Sequence, residues 1–216
     1  MKPFVLAAMA AATLSAAPAL AQGVGNPVIA RSTVDGCSSC TFVLNQAFPT
    51  PGVAVGGFSF YADRALDIVP LLLSQTVVGN TATFSVLAIG QQRTASLGVN
   101  NFSFNTQSGV NLTTANSYFG FAYPGLGVVS FDYFSTATSA GAFAGPAGYV
   151  PSAVGDSFTS STTLSNNAYG ALNDRTYSIA AAAVPEPATW ALMIGGFGLA
   201  GFGMRRRKVA TTVRFA

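Results

Sequence analysis

The chain has no histidine, one glutamate, two cysteines and one tryptophan among 216 residues, and only 8% of it is charged. Without histidine there is no Ser-His-Asp or Cys-His nucleophile, no His-ligated zinc and no side chain that ordinarily titrates near neutrality. Six aspartates and the single glutamate leave little stock for carboxylate catalysis or a cation cage. Between Gln22 and Val184 there is no lysine and no glutamate. Four arginines (Arg31, Arg64, Arg93, Arg175) face six aspartates (Asp35, Asp63, Asp67, Asp132, Asp156, Asp174), so this stretch is net acidic. The overall charge of +3 therefore comes from the two ends. A basic isoelectric point would suggest nucleic acid. The middle carries no basic stripe, so binding to a phosphate backbone has no electrostatic source and is excluded.

What is present begins with an export signal. Lys2 forms a positive start, and Phe4 to Leu14 is an apolar run too short to span a bilayer. Ala19-Leu20-Ala21 gives a small-x-small cleavage site before Gln22. Residues 1–21 thus read as a signal peptide, which implies Sec export and signal peptidase as partners. The other end is built in reverse order. Val184-Pro185-Glu186-Pro187 precedes the uncharged run Ala188 to Met204, and Arg205-Arg206-Arg207-Lys208 follows at once. Seventeen helical residues at about 1.5 Å each reach roughly 26 Å, enough for a thin hydrocarbon core. The basic cluster is a stop signal that keeps the C-terminus cytoplasmic, and Trp190 falls at the opposite interface. The expected topology places the exported part outside the inner membrane and the tail 209–216 inside. Five glycines in the span (Gly195, Gly196, Gly198, Gly201, Gly203) predict a helix that unwinds easily.

Pro185-Glu186-Pro187, an apolar helix and an arginine cluster in that order resemble the PEP-CTERM sorting signal, with Trp190 and Ala191 placed as in its PEPxxWA variant. The resemblance covers Val184 to Lys208. It implies that an exosortase, a membrane cysteine transpeptidase-like enzyme of exopolysaccharide-making Gram-negative bacteria, reads the signal and cleaves near Pro-Glu-Pro. Two prolines favour an extended backbone, the form such enzymes bind.

The middle, residues 22–183, predicts an all-β ectodomain. Aromatics alternate in Phe58-Ser-Phe60, Phe102-Ser-Phe104, Phe119-Gly-Phe121-Ala-Tyr123 and Phe131-Asp-Tyr133, the period-2 pattern of a strand with one buried face. Further β-rich runs are Thr41 to Phe48, Ile68 to Val78, Thr81 to Ile89, Ser157 to Leu164 and Arg175 to Ala180. Turn signals separate them, among them Gly79-Asn80, Asn100-Asn101 and Pro124-Gly125. Eight or nine such strands predict an antiparallel β-sandwich, jelly-roll-like. The only helix-like patch, Tyr61 to Leu73, is interrupted by Pro70. Ser135 to Ser165 is rich in Gly, Ala and Ser, and partial disorder is the alternative to strands there.

Cys37-Ser-Ser-Cys40 reads as a disulfide in an exported chain. A redox site would need a helix after the first cysteine, and zinc would need ligands the chain lacks. No metal and no cofactor is expected. Asp63, Arg64 and Asp67 are the densest polar cluster and read as a surface pair at a loop, with a calcium site or a carboxylate pair for glycoside cleavage as the alternatives. These features favour a non-enzymatic surface or matrix protein associated with exopolysaccharide. A glycan-binding module is the second reading, with Tyr118, Tyr123, Tyr133 and Tyr149 as stacking candidates. A hydrolase using Asp63, Asp67 or Asp132 is a remote third.

Overall fold

In the computed structural model, the residues described are 23–109, 111–133, 141–165, 168–184, 194–198 and 201. Sixteen strands occur among them. The first eight are β1 (Val24–Gly25), β2 (Thr33–Val34), β3 (Ser38–Ala47), β4 (Ala54–Ala62), β5 (Asp67–Val78), β6 (Thr81–Gly90), β7 (Arg93–Thr94) and β8 (Gly98–Ser103). The rest are β9 (Thr106–Gly109), β10 (Ser117–Leu126), β11 (Ser130–Tyr133), β12 (Ala142–Ala144), β13 (Ser157–Leu164), β14 (Ala171–Asn173), β15 (Arg175–Tyr177) and β16 (Ile179–Val184). The all-β, antiparallel character expected from the alternating aromatics is what the chain adopts; the β13–β14 pair alone is parallel.

The strands do not simply form two open sheets. The largest sheet runs β7-β5-β10-β3-β12-β14-β13-β6-β9, and β5 also pairs with β6. Strand β5 is long enough for both jobs: Val69 to Ser74 pair with β10, and Leu71 to Val78 pair with β6. The result is a closed loop of seven strands, β5-β10-β3-β12-β14-β13-β6, which leaves no open edge within the ring. Side chains alternate between its inside and outside. Val43, Leu71, Leu73, Phe84, Val86, Phe143 and Phe158 form the interior cluster. Phe84 lies at its centre, 5.1 Å from the Phe143 ring and 5.4 Å from that of Phe158.

The outward-facing residues of the same strands meet a second layer. A four-stranded sheet, β1-β16-β4-β8, contributes Val55, Phe58, Phe60, Ile179 and Ala181 to a core shared with Phe42, Leu72, Phe119, Phe121 and Tyr123 of the barrel wall. Phe58 and Phe119 bridge the layers at 5.9 Å. This is why the barrel strands are apolar on both faces: one face fills the ring and the other carries the sheet. A small third sheet, β15-β11-β2, lies beside them.

Two local features follow from backbone chemistry. Gly79 and Asn80 form the two-residue turn of the β5–β6 hairpin, and Gly79 holds the left-handed conformation (φ 58°) that such turns require. The helix-like patch is instead the end of β4, a loop over residues 63–66 and the start of β5. Pro70 lies inside β5 opposite Phe121, at a point where the pairing with β6 has not yet begun and that with β7 has ended. A residue without an N–H is tolerated there because no partner asks for one. From Ser135 to Ser165, residues 135–140 lie outside the described residues, while β12 and β13 are well-formed strands.

Candidate functional site

β16 is an interior strand of its sheet, between β1 and β4, and its pairing continues to Ala183↔Val55 and Val184↔Ala54. Pro185 therefore follows the final paired residue with no spacer. Pro185, Glu186, Pro187, Trp190 and the basic residues Arg205, Arg206, Arg207 and Lys208 lie outside the described residues, as do Ala19, Ala21 and Gln22, the expected export-signal cleavage residues. Residues 194–198 are helical and exposed. No helix among the described residues is long and apolar enough to cross a membrane.

Among residues 23–184, ionisable groups gather at a place for which the sequence carries no motif. Asp35 follows β2 and is 2% exposed. Arg175 and Tyr177 are two apart on β15 and so share a face, and both reach that carboxylate. Arg175 Nη1 donates to Asp35 Oδ1 and, at 3.2 Å, to the Tyr177 hydroxyl. Tyr177 donates to Asp35 Oδ2 at 2.8 Å. Arg64 closes the group from the loop after β4, donating to the backbone carbonyls of Asp35 (2.7 Å) and Gly127 (3.1 Å). The Arg175 guanidinium also lies 4.7 Å from the Phe131 ring, 5.7 Å from Phe42 and 6.0 Å from Tyr133, so aromatic faces take up part of the cost of its burial. β11 pairs with β15 in the register Tyr133↔Arg175 and Phe131↔Tyr177, which puts those rings in place.

Burial dominates the electrostatics. It pushes the Asp35 carboxyl up to about 6, against the opposing pull of Arg175, the Tyr177 hydrogen bond and Arg64. The Tyr123 and Tyr177 hydroxyls are held well above their ordinary range by burial first and by the Asp35 charge second. A pocket of about 270 Å³ opens onto this group, lined by Asp35, Gly36, Cys37, Phe42, Tyr169 and Arg175 among others. Another depression, of about 520 Å³, lies over the four-stranded sheet. Gly57, Ser59, Asn101, Ala180 and Ala182 line it, and no ionisable group does.

The candidates read from the sequence are scattered by the fold. Tyr123 is fully buried, and its hydroxyl accepts from the Val129 N–H at 3.2 Å. Tyr118 and Tyr149 are half-buried and pack toward the barrel interior, against Phe84 and Phe158. Tyr133 alone of the four is exposed, so they make no common stacking platform. Cys37 and Cys40 are joined in a disulfide at the start of β3, with Ser39 between them in the left-handed region (φ 56°). Asp67 accepts from Gln92 Nε2 and Thr94 Oγ1, both at 2.6 Å, whereas Arg64 turns inward to Asp35. Asp132 pairs with Arg31 at 3.1 Å and accepts from the Ser32 N–H and hydroxyl, which hold its carboxyl below the usual range. Asp67 and Asp132, two of the three aspartates of the hydrolase reading, are thus engaged separately. The Asp35–Arg175–Tyr177 group escaped the sequence because its members are 140 residues apart. The available signal was Arg175 itself, one of only four cations in the ectodomain, placed within a β-rich run.

The profile of the PEP-CTERM protein-sorting motif matches residues 183–208. No curated protein and no solved structure matches the chain.

Proposed function

Because the chain carries a PEP-CTERM protein-sorting motif, we propose that it is an exosortase substrate whose β-rich ectodomain, residues 22–183, is delivered to the cell envelope or beyond. In this reading residues 1–21 are removed by signal peptidase after Ala21. Ala188 to Met204 then lodge in the inner membrane as a helix, Arg205 to Lys208 hold the C-terminus in the cytoplasm, and residues 209–216 form a short tail. The exosortase cuts at Pro185-Glu186-Pro187. The observation that carries this is the fixed order of Pro-Glu-Pro, Trp190, an uncharged run and four cations within the matched window. The pairing of β16 up to Val184 supports it as well, since the last paired residue of that sheet immediately precedes Pro185 in the sequence.

The ectodomain then acts as a surface or matrix component associated with exopolysaccharide, without catalysis of its own. Supporting this are the absence of histidine and a surface whose polarity rests on Ser, Thr and Asn rather than on charge. Intact-mass measurement of the protein from envelope and medium, in hosts with and without the exosortase, tests the reading. The expected mature species begins at Gln22 and lacks Arg205 to Lys208. A mature wild-type species that keeps those four residues overturns it.

A further inference from the structure

Beyond sorting, and independently of it, we infer that the open edge of β8 pairs with β8 of a second copy of this chain, joining two four-stranded sheets into one. β8 ends the sheet β1-β16-β4-β8 and pairs with β4 without a register shift, from Gly98↔Ala62 to Ser103↔Gly57. In an antiparallel pair, alternate residues turn their N–H and C=O toward the partner strand. The Phe104 N–H donates to the Gly56 carbonyl at 3.0 Å, which fixes the phase. Gly98, Asn100 and Phe102 therefore face β4, while Val99, Asn101 and Ser103 face away from it. Those three residues are exposed, and their backbone groups have no hydrogen-bond partner among the described residues.

Open edges are ordinarily blunted by charge, proline, a bulge or shortness, because a row of free N–H and C=O groups is a template for another strand. The other strands at sheet ends among the described residues follow that rule. β1, β2 and β7 have two residues each, β15 has three, and β9 has four with a register shift in its pairing to β6. β8 has six residues, regular pairing, no charge and no proline. Val99 on this strand is 59% exposed, and Leu97, just before it, is 70% exposed.

Two observations select a second copy as the added strand. The first is charge: the four strands of the sheet contain no Asp, Glu, Lys or Arg. An identical sheet approaches without like-charge repulsion, whereas a charged strand would find no counter-ion there. The second is self-complementarity. Antiparallel pairing about a two-fold axis at Asn101 sets that residue against its own counterpart and Val99 against Ser103 of the second copy. The outward residues then exchange about six backbone hydrogen bonds. The Asn101 side chain suits the axis as well. Its Oδ1 accepts from the Ser59 hydroxyl at 2.6 Å, and its Nδ2 has no acceptor among the described residues. Each Nδ2 can donate to the other copy's Oδ1, which has a second lone pair, so the contact is reciprocal. An edge contact of this size gives a weak, reversible dimer.

The test uses the full chain in detergent. Sedimentation should show a reversible monomer–dimer equilibrium between about 1 µM and about 500 µM. Asn101→Lys sets two like charges face to face and should weaken association about tenfold or more. It should keep the wild-type unfolding midpoint, because the residue is exposed. Single cysteines read the register. Opposed residues of a hydrogen-bonded antiparallel pair have Cα atoms about 5.5 Å apart, within disulfide reach, so Asn101→Cys should cross-link on mild oxidation. Val99→Cys alone and Ser103→Cys alone should not, since each lies about 13 Å or more from its counterpart, but a mixture of the two variants should. A monomeric wild type overturns the proposal, as does equal cross-linking at all three positions. Association that survives Asn101→Lys, as it would if the apolar run 188–204 drove it, overturns it too. Processing at the sorting signal plays no part in these readouts.

Discussion

Replacing Asp35 probes the buried pair where its consequences are largest. The folded protein holds the Asp35 proton up to about pH 6, whereas an unfolded aspartate releases it near 3.8. A carboxyl raised in this way makes the native state the better proton binder between those values. Its stabilising contribution is complete below about 3.8 and is lost as pH rises through about 6. The interval corresponds to about 3 kcal/mol, of which about 2 kcal/mol falls between pH 4.5 and 7.5. Asp63, also raised by burial although opposed by Arg64, adds in the same direction. Asp132 and Asp156 are lowered by hydrogen bonds from Ser32 and from Ser152 and Ala153, so their contributions are lost only as pH falls below the ordinary carboxylate range. The window from 4.5 to 7.5 is therefore mainly that of Asp35.

Asp35→Asn keeps the shape and an acceptor for Arg175 while removing the titration, so its unfolding free energy should be nearly flat over the window in which the wild type declines. Asp35→Ala instead strands the Arg175 guanidinium. Breaking a buried pair from one side costs about 3–5 kcal/mol, which in a domain of this size lowers Tm by about 10 °C. Urea unfolding followed by circular dichroism at pH 4.5, 5.5 and 7.5 measures both. A wild-type stability that does not change over this range, together with a loss below about 1 kcal/mol in Asp35→Ala, would refute the burial argument.

Other expectations test the remaining links. Gly127→Ala would push a Cβ to within 2.3 Å of Asp35 Cβ and 2.6 Å of its carbonyl oxygen, so it should destabilise the protein by more than about 2 kcal/mol in the same unfolding assay. Phe84→Ala empties the centre of the barrel and should cost about 3–5 kcal/mol. Reduction of Cys37–Cys40 should cost only about 2 kcal/mol, because the closed loop is so short. In the tail, Glu186→Ala or Trp190→Ala should leave the C-terminal segment uncleaved by mass. Changing the five glycines of the apolar run to leucine should slow processing if that segment has to unwind.

Much of this protein was legible in the linear chain. The order of Pro-Glu-Pro, an uncharged run and a basic cluster is local, so the sorting motif at residues 183–208 could be read directly. Alternation of aromatics is also local, and it located β4, β10 and β11 from Phe58, Phe119 and Phe131. Pro70 marks the break in the helix-like patch and Ile68 to Val78 reads as β-rich, as β5 is, but why a strand admits a proline there lies in where β6 and β7 pair with β5. Closure of the ring likewise depends on β5 having partners on both sides, and strand pairing between distant segments leaves no trace in either segment alone. The same holds for Asp35 and Arg175. Each reads as an ordinary isolated charge, and only the packing of β15 beside β11 and β2 removes water from both and makes one the partner of the other.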